Sequence, residues 1–118
     1  MINNNDWLVA LLLIMRRPEI VSQIAQTLRR IAPTAETILY GSEARGDAHA
    51  GSDIDLLILV DGDQLSLSQE EAITIPLYQI ELATGVPVSP LVMLKSQWYN
   101  RPIKTPFYIN VMNEGITL

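Results

Sequence analysis

The stretch LYGSEARGDAHAGSDIDLLILV, residues 39–60, decides the fold class and the place of the candidate site. It holds a Gly-Ser pair at Gly41 and Ser42, and two aspartates, Asp53 and Asp55, directly before an unbroken apolar run. A run of this kind, apolar on both faces, predicts a central strand covered by helices on either side. The question it raises is why two carboxylates stand at the start of the most hydrophobic predicted strand.

Strand geometry places the two aspartates together. Side chains alternate between the faces of a strand, so Asp53 and Asp55 are expected on the same side. At a rise of roughly 3.3 Å per residue their Cβ atoms lie about 7 Å apart. This separation suits two oxygen ligands around one Mg²⁺, or two metals that share a substrate phosphate. The alternative is a solvated strand edge without a ligand.

The Gly-Ser pair upstream predicts a phosphate-binding turn beside such a metal site. A strand that ends at Gly41 and turns into a helix start presents free backbone N–H groups and the Ser42 hydroxyl, which together form a phosphate cradle. The alternative is a plain turn. Phosphoryl or nucleotidyl transfer requires this arrangement, in which a phosphate cradle at the end of one strand faces metal-binding carboxylates on the neighbouring strand.

The remaining elements follow from periodicity and from turn residues. A helix is predicted from Pro18, with apolar residues at helical spacing up to Ile31, and a short buried strand follows at 37–40. The strand at 53–60 precedes a helix at 66–84, in which Pro76 predicts a kink or break and after which Gly85 is the natural cap.

The C-terminal third predicts one further strand and one further helix. Residues 86–94 read as a strand, and its two prolines indicate either an edge strand or an irregular start of the strand. A last helix is predicted from Pro106 to Gly115, with an apolar stripe that favours packing. The order predicts an α/β (α+β) fold with a small mixed sheet flanked by helices.

Composition and charge narrow the classes of function. The 118 residues are 48% hydrophobic with a net charge of −5, which predicts one globular domain over 1–118. Nine acids face one base between residues 43 and 81. This charge disfavours nucleic acid as a partner and favours a basic protein. The absence of cysteine excludes disulfides and thiolate metal sites, and fits a cytoplasmic location.

The N-terminal apolar run at 7–15 does not predict a membrane span, because a spanning helix needs about 20 such residues. It favours a helix that packs on the domain or faces a partner. A second interpretation is that Met15 is the natural start and that 1–14 are an extension.

Two segments, residues 41–47 (GSEARGD) and 52–57 (SDIDLL), resemble the minimal nucleotidyltransferases of the DNA polymerase β-like superfamily. The shared pattern is Gly-Ser, ten residues, then Asp-x-Asp. The similarity covers about 18–94, and the tail at 106–115 looks like one branch of bacterial members. The domain is accordingly divided into an N-terminal extension at 1–17, a core at 18–94 and a helical tail at 95–118.

The resemblance implies roles for individual residues. Gly41, Ser42 and Arg45 would bind the phosphates of an NTP, most simply ATP. Asp53 and Asp55 would be the catalytic Mg²⁺ ligands, with an NMP group passed to an acceptor and pyrophosphate released. Related proteins act beside a HEPN-domain partner, as antitoxins that attach AMP to a toxin. Homo-oligomer formation is left open.

One position departs from the family pattern. Active members carry a third carboxylate on the neighbouring strand, and here that position falls on Ser89, whose hydroxyl is a weak Mg²⁺ ligand and a poor base. Three explanations stay open: an enzyme that works with two aspartates, replacement by a nearby acid such as Glu81 or Asp47, or a silent nucleotide-binding or partner-binding module.

Several other side chains have both a functional and a structural interpretation. Arg45 either contacts a phosphate or braces the turn. For six other residues the structural interpretation is favoured. His49 is expected to be solvated, Lys95, Arg101 and Lys104 are expected to be surface charges, and Trp98 and Tyr99 are expected to pack.

Overall fold

The computed structural model describes residues 13–118, so most of the helix predicted at 7–15 lies outside the described part. Within that part the chain forms five helices and four strands. The helices are α1 (Pro18–Ile31), α2 (Gly41–Arg45), α3 (Leu67–Thr84), α4 (Lys95–Tyr99) and α5 (Pro106–Glu114). The strands are β1 (Glu36–Tyr40), β2 (Ile54–Val60), β3 (Val88–Leu94) and β4 (Ile116–Thr117).

The four strands form one mixed sheet in the order β3-β2-β1-β4. Strand β2 pairs in parallel with β3, and β1 pairs antiparallel with both β2 and β4. The predicted small mixed sheet is confirmed, and so is the edge position of β3. Pro90, the third residue of β3, has no N–H to donate, which an edge strand tolerates and a central strand does not.

Each face of the sheet carries its own apolar core. On one face α1 and α3 cover Ile54, Leu56 and Ile58 of β2. On the other face Leu57 and Leu59 of β2 pack against Trp98 of α4 and Val111 of α5. All five of these β2 side chains are fully buried, which accounts for the unbroken apolar run.

Helix α3 runs without a break through Pro76, so of the predicted kink or break the break does not occur. Proline removes one backbone hydrogen bond. The helix compensates with a capping box between Ser66 and Gln69 and with buried side chains on either side of the proline, at Ile73 and Leu77. Gly85 caps its end in the left-handed conformation, as predicted.

Two short elements were not predicted from sequence. Helix α4 has five residues and β4 has two, which is too short for either to show a periodic pattern. Strand β4 adds the end of the chain to the sheet beside β1. No helix in residues 13–118 has the length and apolar character needed to cross a bilayer.

Candidate active site

The Gly-Ser turn lies directly against β2. Gly41 follows the last residue of β1 and adopts a φ of +74°, a conformation that favours glycine. A Cβ atom at this position would stand 2.2 Å from Oδ2 of Asp55. Only a residue without a side chain therefore allows the turn to approach the aspartate so closely, and Ser42 follows at once in α2.

The two aspartates and Ser89 meet on the face of the sheet that α4 and α5 cover. Asp55 alternates with Ile54 and Leu56, so it shares the face of Leu57. Ser89 is its register partner on β3 and donates a hydrogen bond from Oγ to Oδ2 of Asp53 at 2.6 Å. The structure thus brings together the two predicted ligands and the residue at the position of the third carboxylate.

The environment of Asp55 disfavours its charged form. Partial burial raises the pKa of the Asp55 carboxyl above its ordinary value, and the negative charge of Asp53 raises it further. Arg45 opposes this effect, and Glu114 adds to it. A divalent cation between the aspartates would relieve the repulsion.

This electrostatic strain predicts that Asp55→Asn stabilises the metal-free protein. Because the pKa is raised, the folded state binds the proton more tightly than the unfolded chain, and stability falls as pH rises through that pKa. The neutral amide removes this loss at pH 7, so we expect the Tm of Asp55→Asn to lie above that of the wild type. Thermal melting in EDTA measures it.

The matched control is Asp63→Asn, which removes the same charge from an exposed loop and should leave Tm unchanged. The advantage of Asp55→Asn should shrink as the pH falls through the raised pKa of the wild-type Asp55 carboxyl, because the carboxyl then becomes protonated. A lower Tm for Asp55→Asn at pH 7 would contradict the assignment.

A buried ion pair joins the two motif segments. Glu43 follows Ser42, is fully buried, and accepts hydrogen bonds from the backbone N–H groups of Arg16 and Arg17 and from Nε of Arg17 at 2.6 Å. Nη1 of Arg17 donates to the backbone oxygen of Ser52 at 2.6 Å, directly before Asp53. The pair therefore fixes the turn and the start of β2 relative to each other.

A carboxylate from α5 reaches the same turn. Oε1 of Glu114 accepts the N–H of Gly41 at 3.1 Å, and its two oxygens lie 3.3–3.4 Å from Nη1 of Arg45. Nε of Arg45 also contacts Asp47 at 3.3 Å. Arg45 thus braces the turn through two acids. Sequence reasoning missed Glu114 and the role of Glu43, because their partners are remote in the chain.

The two acids considered as replacements for the third carboxylate have other partners. Oε1 of Glu81 accepts the N–H of Val88 at 2.8 Å, at the start of β3. Asp47 is largely exposed and pairs with Arg45. Ser89 itself holds the position next to Asp53.

The other singled-out residues take structural roles. Trp98 is fully buried between Phe107 and Tyr108, and Arg101 stacks on its ring at 4.7 Å. The other residues singled out from the sequence lie at the surface. His49 accepts the N–H of Gly51, and Lys95 pairs with Asp61. The Tyr99 hydroxyl donates to Glu36, and Lys104 is exposed. The packing interpretation of Trp98 is confirmed.

The carboxylate oxygens at the start of β2 are suitable ligands for a hard divalent cation. Mg²⁺ is commonly held by one or two carboxylates, with water and substrate phosphates completing its shell. Asp53 and Asp55 provide two carboxylates beside the Gly-Ser turn. Residues 13–118 contain no group of three or more acidic, histidine or cysteine side chains placed to hold a metal, so a cation here would depend on substrate oxygens.

Comparison with known proteins identifies the class. The model of the nucleotidyltransferase domain matches residues 21–116. A protein of Methanocaldococcus jannaschii, named "putative protein adenylyltransferase", is 35% identical over 79 residues, which cover 67% of this chain and 73% of that protein. The mixed α+β fold and these matches define a nucleotidyltransferase. The chain belongs to the nucleotidyltransferase domain family, as its resemblance to polymerase β-like enzymes implied.

Proposed function

We propose that this protein transfers an AMP group from ATP, in a Mg²⁺-dependent reaction, to a hydroxyl group of a protein or a small molecule. The observation that carries the proposal is the approach of the Gly41 turn to Asp55, at which a Cβ would stand 2.2 Å from the carboxylate. A phosphate held by the turn would therefore lie beside a cation held by the aspartates.

Each side of the site has a distinct task. Asp53 and Asp55 are the proposed catalytic residues and hold the Mg²⁺, which when bound neutralises charge on the phosphates. The turn formed by Gly41 and Ser42, braced by Arg45, receives the triphosphate. Partial burial of Asp55 limits the water around it and strengthens these interactions.

The reaction is a displacement at the α-phosphorus. The acceptor oxygen forms a bond to this phosphorus, the bond to the bridging oxygen of the β-phosphate breaks, pyrophosphate leaves, and the acceptor proton passes to solvent. Phosphoryl-type transfers depend mainly on positioning and electrostatic stabilisation. Replacement of a carboxylate by Ser89 is then expected to slow the reaction rather than to abolish it.

The acceptor and the partner rest on similarity. The name of the M. jannaschii protein supports protein as the acceptor and AMP as the group. A HEPN-domain partner and an antitoxin role are carried over from the resemblance of the Gly-Ser and Asp-x-Asp segments. The cytoplasmic location stays a prediction as well.

The test is a calorimetric titration with α,β-methylene-ATP, with and without Mg²⁺. We expect Mg²⁺-dependent binding to the wild type, and at least about a 100-fold loss for Asp53→Asn/Asp55→Asn, because each lost bond to a charged group costs about 1.5–3 kcal/mol. The control Asp61→Asn/Asp63→Asn removes the same charge from an exposed loop. Unchanged binding in the first double variant would contradict the proposal.

A second candidate function, a catalytically impaired module that binds a nucleotide or a partner, is favoured by one observation. Ser89 stands where a third carboxylate would act, and its hydroxyl donates to Asp53 instead. Transfer of label from α-³²P-ATP to a partner protein separates the two functions. A partner complex that survives Asp53→Asn/Asp55→Asn and never becomes labelled would support the module.

A further inference from the structure

The end of α5 is anchored beside the candidate site. Gly115 follows Glu114 and is buried against β1, where a Cβ would stand 2.6 Å from Cγ2 of Ile38 and 2.5 Å from the backbone oxygen of Val111. Ile116 then pairs with Leu39 in the sheet. The backbone that carries Glu114 is therefore held against the strand that leads into the Gly-Ser turn.

From this anchored position Glu114 contacts both ends of α2. Its carboxylate accepts the N–H of Gly41 at the start of α2 and pairs with Arg45 at the end. Both contacts involve a charged group, at 3.1 Å to the nitrogen of Gly41 and at 3.3–3.4 Å to Nη1 of Arg45. The side chain of Glu114 is about a quarter exposed and that of Arg45 about half, so water screens the ion pair more than it screens the hydrogen bond to the Gly41 amide.

We propose that Glu114 is a positioning residue of the nucleotide site, which clamps the Gly-Ser turn through the N–H of Gly41 and the guanidinium of Arg45. This inference rests on the proposed function and assigns a division of labour within it. Ser42 contacts the phosphates directly. Arg45 contributes to phosphate binding indirectly, because it pairs with Glu114 and so helps to hold the turn. The nucleotide site thus includes the end of the C-terminal helix.

An alternative role for the same carboxylate is competition with the phosphates, in which Glu114 would leave when the nucleotide binds. The anchoring of Gly115 and of β4 holds the backbone of Glu114 beside the turn, so in this role the carboxylate would have to leave by a change of side-chain rotamer alone. The two roles predict opposite effects of removing the carboxylate, so one set of variants separates them.

The test compares Glu114→Ala with Glu114→Gln, and uses Asn113→Ala, an exposed neighbour on α5, as the control. In the nucleotide-free protein, we expect hydrogen exchange at the Gly41 amide to be at least about 10-fold faster in Glu114→Ala. Glu114→Gln keeps an oxygen acceptor for this amide and should restore much of the protection. Asn113→Ala should match the wild type.

The second readout is affinity for α,β-methylene-ATP with Mg²⁺. We expect a loss of about 10-fold in Glu114→Ala. The double variant Arg45→Ala/Glu114→Ala should lose little more than either single variant, because both remove the same clamp. Tighter binding by Glu114→Ala, or a lower Tm with neither Gly41 exchange nor affinity changed, would overturn the proposal.

The two readouts separate failure of the clamp from failure of the proposed function. If the wild type binds no analogue, the proposed function is contradicted, and the exchange rate of Gly41 alone decides on the clamp. If the wild type binds the analogue and Glu114→Ala changes neither readout, the clamp is contradicted while the proposed function stands.

Discussion

Glu43→Gln is expected to lower the free energy of unfolding by about 3–5 kcal/mol, because it leaves the guanidinium of Arg17 buried without a counter-charge. Glu43 is fully buried, and its carboxylate accepts three hydrogen bonds from Arg16 and Arg17. For a chain of this size, the loss corresponds to a fall in Tm of roughly 10 °C or more. Denaturant unfolding followed by circular dichroism measures it.

The matched control for this prediction is Asp61→Asn. It breaks an ion pair of similar length, 3.0 Å from Lys95 Nζ, whose two side chains are 32% and 60% exposed. Exposed pairs contribute about 0–1 kcal/mol, so this variant should unfold almost as the wild type does. Equal effects of the two variants would show that burial of the Glu43 pair does not matter.

Arg17→Met tests the same pair from its other side. Methionine removes the buried charge but leaves Glu43 without its guanidinium, and it deprives the Ser52 oxygen of its donor. Nη2 of Arg17 has no hydrogen-bond partner among the described residues, so the arginine already carries one unsatisfied group. The combination Arg17→Met/Glu43→Met should therefore recover part of the lost stability, because no charge is left buried.

The parts of the fold that were predictable are those with local signals. The buried strand β2 follows from its apolar run, the α3 end from Gly85, and the edge position of β3 from its prolines. Each of these signals lies within the element that it specifies. The Gly-Ser and Asp-x-Asp segments are also local, which is why they alone placed the candidate site.

The parts that could not be predicted depend on contacts between distant residues. Glu43 and Arg17 are 26 positions apart, and Glu114 and Arg45 are 69 apart. An isolated charged residue has no periodic sequence pattern that would indicate such a distant partner. One hint was present: a carboxylate directly after Ser42 would repel a bound phosphate if it faced the turn, so Glu43 needed a partner elsewhere.

The same contrast explains why Ser89 was found and Glu114 was not. Ser89 was found because the resemblance to the nucleotidyltransferases implies a third carboxylate on the neighbouring strand, and that position falls on Ser89. The structure places Ser89 opposite Asp55. Glu114 reaches the turn only because the glycine after it allows α5 to end against β1. That close approach is a property of tertiary packing, which a glycine in the sequence does not specify by itself.

Gly41→Ala is expected to lower kcat/KM for nucleotidyl transfer by about 100-fold or more, because displacement of a positioning group by about 1 Å has effects of this size. The new methyl group would stand 2.2 Å from Oδ2 of Asp55, so either the turn or the carboxylate must move. The φ of +74° adds backbone strain of about 1–2 kcal/mol. Steady-state kinetics and thermal melting together measure both effects.

Gly85→Ala separates the clash from the strain. Gly85 has the same φ of +74°, but a Cβ there would meet no atom within 4 Å, and the residue caps α3. This variant should show the loss of stability with full activity. Gly41→Ala should show the same loss of stability together with loss of activity and of Mg²⁺-dependent nucleotide binding. If both variants were equally active, the close approach of the turn to Asp55 would have no role in the reaction.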